Sequence, residues 1–186
     1  MRFWTIQSVD VVEILRQNGM YQPDFRSSRF LMKDPSLAGL YDYVLQCYNQ
    51  ANDSRLPGVV FAFAKSDNRT IQAFEGASDF YRYMCDHRHV IKGFWNQLNP
   101  KNNVVMELEY TEDFNPLLID INDFQLLMPP MVVLPPYTYH SIQRITTDLE
   151  KGQITLSEFP SGVIQVHLPY IRKENICNLY NFFELE

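Results

Sequence analysis

Glycine is sparse in this chain, seven among 186 residues, and no stretch reads GxGxxG, GxxxxGKS or GxxxxGKT. Loops that cradle phosphates with bare backbone N–H groups therefore have no support in the sequence. Cysteine is sparser still: Cys47, Cys85 and Cys177 are far apart, odd in number and without a CxxC pair. That pattern excludes a disulfide-built scaffold and fits a reducing cytoplasm, with the thiols buried or idle. Basic charge is in deficit, 16 Lys and Arg against 22 Asp and Glu, for a net charge of −6. Duplex nucleic acid is held by phosphate neutralisation, so an acidic chain makes nucleic acid a poor partner. The local basic groups, Arg26 with Arg29 and Arg82 with Arg88 and Lys92, are expected to be scattered, solvated charge. No apolar run approaches the roughly 18 residues of a membrane span, and no basic-led apolar leader opens the sequence. A cytoplasmic protein without membrane attachment is the expectation.

Aromatic residues, by contrast, are plentiful: 13 Phe and 11 Tyr, in a chain that is 46% hydrophobic and 20% charged. This is the composition of a globular protein with a full core, and 186 residues suit one domain spanning 1–186. Arg2 to Ile6 reads as a strand, Ser8 as the cap of a helix carrying Val11, Val12, Ile14 and Leu15, and Gly19 as its stop. Residues 21–35 have no clean period and read as a loop ordered by Phe25, Phe30 and Leu31. Ser36 is expected to cap a second helix with a stripe from Leu37 to Tyr48. Val59–Ala64 reads as a buried strand, and Thr70–Phe74 as a short strand or loop. Ser78 is expected to cap a helix to about His87, with a second helical piece to Leu98.

In the second half, Val104, Met106, Leu108 and Tyr110 alternate with Val105, Glu107 and Glu109, the mark of a half-exposed strand. Residues 116–137 are apolar but cut by five prolines, which confines strands there to short or edge positions. "HSIQRIT" and "QITLSEF" read as a hairpin across "TDLEKG", "GVIQVHL" as a strand and "RKENICNLYNFF" as a closing helix. Helices then gather early and strands late. The expected fold is α+β, an N-terminal strand and helices packed on a mostly antiparallel, proline-interrupted sheet.

Candidate sites are few. Glu107 and Glu109 share one strand face and form either an acid/base pair or the wet side of that strand. "CDHRH" groups possible metal ligands, but His87 and His89 diverge on a helix, so a helix end with favourable charge is the plainer reading and no metal is expected. Cys85 near His87 is expected to be a packed thiol, and no GxSxG elbow exists. Aromatic groups such as "FYRYM" and "LYNFF" are expected in the core, with base stacking or ligand packing as the alternative.

The opening "RFWTIQ", followed by a helix ending in "LRQNGMY", resembles a family of uncharacterised bacterial proteins, domain of unknown function 3841. "VVMELEY" and "LLIDINDFQLL" are similar to later parts of that family; "GVVFAFA" stands where the family has a Trp-rich strand and lacks the tryptophans. The resemblance covers about two thirds of the chain and brings no known activity. A second resemblance is to ADP-ribosyltransferase-like folds, in which an early strand places a polar residue beside the nicotinamide cofactor and a later strand carries an acid. It implies NAD as cofactor, Gln7, Glu107 and Glu109 as the catalytic set, and Trp4, Thr5, Tyr81 and Tyr83 as ligand-binding residues. The Ser-Thr-Ser strand of that pattern is missing, and Arg2 is the only candidate for its early basic residue. Without that resemblance no cofactor is implied. The primary expectation is then a non-enzymatic interaction or regulatory protein with an acidic, aromatic-rich surface, a protein as its partner, and scope for a homo-oligomer.

Overall fold

A computed structural model of the chain describes residues 2–28, 31–67, 70–99, 101–182 and 185. Its frame is a seven-stranded sheet, every paired strand antiparallel to its neighbour, with six helices around it, an α+β fold. The strands are β1 (Arg2–Ser8), β3 (Val60–Asp67), β4 (Thr70–Gln72), β5 (Asn103–Glu109), β6 (Leu117–Asp120), β7 (Val163–Leu168) and β9 (Ile176–Asn181). Their order is β6-β7-β3-β1-β5-β9, with β4 added to β3. A separate ribbon pairs β2 (Met20–Tyr21) with β8 (Ile171–Arg172). No described helix is long and apolar enough to cross a membrane.

The start of the chain folds as its residues dictate. β1 passes directly into α1 (Val9–Asn18), and Gly19 ends the helix at φ 77°, donating its N–H to the Leu15 carbonyl. Only glycine takes that left-handed conformation without a Cβ penalty. Residues 21–35 are ordered by two 3-10 turns, Phe25–Ser27 and Leu31–Lys33, with Phe25 and Leu31 buried; Arg29 and Phe30 lie outside the described residues. The second helix, α2 (Pro35–Ala51), is capped by Asp34 rather than Ser36: the carboxylate accepts from the N–H groups of Ser36 and Leu37, and Pro35 fills the first helical position. Proline there costs no hydrogen bond and presets φ, so the cap shifts two residues upstream. α3 (Ala77–Asp86) starts at Gly76, not Ser78, and α4 is a single turn, Lys92–Trp95.

Three later elements differ from the sequence reading. Ile121–Leu127 forms a helix, α5, capped by Asp120, where only short strands were expected. The expected hairpin across "TDLEKG" is instead a helix, α6 (Tyr139–Glu150), opened by a reciprocal Thr138–Ser141 capping box. Ile145 and Leu149 on it are fully buried at the helical spacing of four. The expected closing helix is a 3-10 turn followed by β9, which pairs with β5 from Val104↔Asn181 to Leu108↔Ile176. Helices and strands are therefore interleaved, not segregated by halves.

Side-chain alternation assigns the layers. Trp4, Ile6, Phe61, Phe63, Val105 and Val163 share one sheet face, where α2, α3, α5 and α6 pack in two clusters. Phe3, Val60, Ala62, Met106, Leu108 and Val166 share the other, covered by Val11 and Leu15 of α1. β5 is thus covered on both sides at its centre, with Val105 and Met106 both fully buried, rather than half-exposed.

Candidate functional site

β1 and β5 are neighbours, so the early strand and the acidic strand adjoin, yet their side chains part company. Trp4 faces Glu107 and Arg2 faces Glu109 across the ladder, whereas Thr5 faces Met106 and Gln7 faces Val104. Opposed residues point to the same face and successive residues to opposite faces. Gln7 therefore lies on the reverse side of the sheet from Glu107 and Glu109, and the expected cleft joining the three is not formed. Glu107 is buried and held by Asn178, whose Nδ2 donates at 2.7 Å, and by Arg2 at 3.5 Å. Glu109, exposed, lies 3.6 Å from Arg2 Nε. These carboxylates tie Arg2 and β9 to the sheet.

The proposed ligand-binding residues serve packing. Trp4 is buried between Phe80 and Tyr180, stacked at ring distances of 5.4 and 6.0 Å. Tyr81 packs edge-on against Phe182. Tyr83 donates its hydroxyl to the Gly162 carbonyl at 2.6 Å and stacks on His87 at 4.0 Å, pinning α3 to the turn before β7. His87 spends Nδ1 on the Tyr83 carbonyl, and no group of three or more metal-ligating side chains occurs among the described residues. Cys47 is buried, Cys85 half-buried and Cys177 exposed.

Thr5 and Gln7 do border a hollow. β1 and β3 meet at Trp4↔Phe63 and then diverge. The Thr5 hydroxyl donates to the Phe61 carbonyl at 2.5 Å across the opening, and Gln7 Nε2 donates to Thr5 Oγ1 at 2.7 Å. Beyond them lies a cavity of about 780 Å³, walled by Gln7, Tyr21, Pro23, Tyr41, Val60 and Phe61. Gly58 lets the Pro23 backbone close this wall, since a Cβ there would sit 2.7 Å from the Pro23 oxygen. Burial raises the pKa of both Tyr21 and Tyr41, so both stay neutral phenols. No described carboxylate faces Gln7 across this hollow except Asp24, which is engaged by the Arg26 side chain and backbone.

Sequence reading missed a polar cluster between α5 and α6. Asp123, with no exposure, receives Arg144 Nη2 at 2.9 Å, and Arg144 also meets Asp148 at 3.4 Å. Asp120 is equally buried; burial raises its pKa, the N–H groups of Asn122 and Ser161 pull it down, and Asp123 raises it again. The signal available was Asp120 and Asp123 within an apolar run, which cannot be buried without donors.

The most unusual surface is apolar and uncharged. Residues 124–139, "FQLLMPPMVVLPPYTY", contain no Asp, Glu, Lys or Arg. Within this stretch Met131, Val132, Leu134 and Tyr139 are exposed by 56–79%. Beside it runs a groove of about 390 Å³ between α2 and α6, lined by Leu40, Tyr43, Leu127, Met131 and Ile142, with Ser36 and Thr146 among its few polar residues. The aromatic residues lie mainly inside: of the large exposed hydrophobics only Tyr139 and Phe159 are aromatic among the described residues. No protein-family model, curated protein or solved structure matches this chain, and its function is to be read from this geometry.

Proposed function

We propose that the protein is a non-enzymatic interaction protein, acting in the cytoplasm, that takes an apolar helix of a partner protein into the groove between α2 and α6. The observation that carries this reading is the uncharged rim: five of the eleven large exposed hydrophobics, Met128, Met131, Val132, Leu134 and Tyr139, fall within residues 128–139. Contiguous exposed apolar surface is a mark of a docking site, whereas scattered hydrophobes are not. Two helices with an apolar groove between them are completed by a third carrying side chains at i, i+3 and i+7. The body of the protein carries a net charge of −6, and Glu150 is exposed on α6, so a neutral or basic partner is favoured over an acidic one. The resemblance of the opening strand and helix to domain of unknown function 3841 adds no activity that competes with this reading.

A labelled amphipathic helical peptide of Leu and Lys, compared with its Leu and Glu counterpart, tests it by fluorescence anisotropy. The Leu/Lys peptide is expected to bind, and to bind at least tenfold more weakly to a Met131→Asp, Leu134→Asp variant. Both residues are exposed, so the fold should survive. Equal binding of the two peptides, or binding indifferent to the variant, would end the proposal. Reversible dimerisation through the same rim, seen by sedimentation and lost in the variant, would replace the foreign partner by a second copy.

A further inference from the structure

Gln165 lies in the middle of β7 with 8% of its surface exposed. Two residues on, hence on the same face, is His167, wholly buried. His167 Nδ1 lies 3.1 Å from the Leu117 carbonyl oxygen. A carbonyl can only accept, so Nδ1 carries the hydrogen. Burial lowers the pKa of the imidazole to about 4, against the raising effect of the Leu117 hydrogen bond, so the ring is neutral at physiological pH. Nε2 is then a bare acceptor, and the Gln165 group 3.0 Å from it must be the NH₂. The amide oxygen is thereby turned away from the histidine, and it accepts no hydrogen bond from a described residue.

Gln165 also lines a cavity of about 210 Å³ on that face, walled by Phe61, Phe63, Phe94, Ile121 and Phe124. At its mouth Gln97 and Gln125 spend N–H groups on the carbonyls of Gly93 and Val90, at 3.0 and 2.7 Å. A hollow of this size is below the roughly 300 Å³ at which drug-sized ligand pockets begin, which excludes a dinucleotide and suits one fused ring. Its walls offer ring faces and edges, and its one buried polar group is an oriented acceptor.

We propose that this cavity binds a small, flat aromatic molecule of indole size that donates a ring N–H to Gln165 Oε1. Phe61, Phe63 and Phe124 supply the apolar walls, and His167 is a positioning residue that fixes the amide. The cavity shares no lining residue with the α2–α6 groove, meets the apolar rim only at Met128, and does not depend on the docking reading.

Indole and benzofuran have nearly the same shape, and only indole has the N–H. In a ligand-observed NMR titration of the intact protein at neutral pH, indole is expected to bind about tenfold tighter or more. Gln165→Met keeps a side chain of similar size without the oxygen, and should bind the two rings equally. Gly93→Leu is a second variant: Gly93 lines the cavity and a Cβ there meets no atom within 4 Å, so the larger side chain is accommodated at the cavity without displacing the fold. It should abolish binding of both rings. Equal affinities in the wild-type protein, or no binding of indole up to its solubility, overturn the proposal. So does a preference for indole that survives Gln165→Met, or indole binding undiminished by Gly93→Leu; if Gln165→Met fails to fold, the Gly93 variant decides alone.

Discussion

His167 exchanges hydration for the Leu117 carbonyl and the Gln165 amide, and it remains uncharged to do so. The linkage has a definite sign. The unfolded chain takes up a proton below the ordinary histidine pKa of 6.5, while the folded ring does so only below about 4. Stability from this group is complete above the upper value and declines as pH falls towards the lower. Urea denaturation should therefore show a loss of about 1.4 kcal/mol from this group between about pH 7.5 and pH 5.5. His167→Gln should remove that slope; an unchanged slope would mean another group is responsible. At this scale the sequence is partly legible. "GVIQVHL" assigns Gln165 and His167 to one strand face. It is silent on Leu117, which lies 50 residues away and determines the tautomer.

α5 and α6 are the elements that the sequence disguised. Prolines at 129, 130, 135 and 136 bracket a short apolar run, which reads as broken strand. What makes Ile121–Leu127 helical is the Asp120 cap together with the α6 surface it packs on. α6 places Ser141, Ile145 and Leu149 inside, four residues apart, while β-branched Ile142, Ile145, Thr146 and Thr147 mimic a strand composition. The two helices are joined by Asp123 and Arg144. Arg144→Met strands a buried carboxylate and should cost about 3 kcal/mol, whereas adding Asp123→Leu to it should restore much of the loss. Additive losses in a double-mutant cycle by chemical denaturation would show that the pair is not coupled. β9 was hidden for a different reason. Its own residues are mostly exposed or half-buried, so their pattern carries little signal, and it is a strand because the outer edge of β5 takes a partner.

At the scale of the whole molecule, the chain is an acidic body with an uncharged apolar rim, the feature on which the proposed docking role rests. The separation of Gln7 from Glu107 and Glu109 by the thickness of the sheet leaves the ADP-ribosyltransferase resemblance without a shared cleft. Thermal denaturation should accordingly be insensitive to NAD. A ligand present at about 100 times its dissociation constant adds about 2.7 kcal/mol, so a rise in melting temperature of several degrees with NAD would restore the enzymatic reading. The α+β class holds, although the segregation of helices and strands from which the sequence reading argued it does not. Their interleaving was not legible, because it depended on the three elements whose local pattern was weak.

By itself the sequence determined the strand-to-helix start, its Gly19 stop, the apolar stripe of α2 and which residues of β5 and β7 share a sheet face, because each follows from backbone preferences and spacing over a few residues. Tertiary structure alone decided that Gln7 and Glu107 look in opposite directions, that Leu117 orients His167 and Gln165, and that Met128, Met131, Val132, Leu134 and Tyr139 remain uncovered. Strand order and register join residues tens of positions apart, and a shift of one residue would reverse every side chain, so no local pattern contains that information.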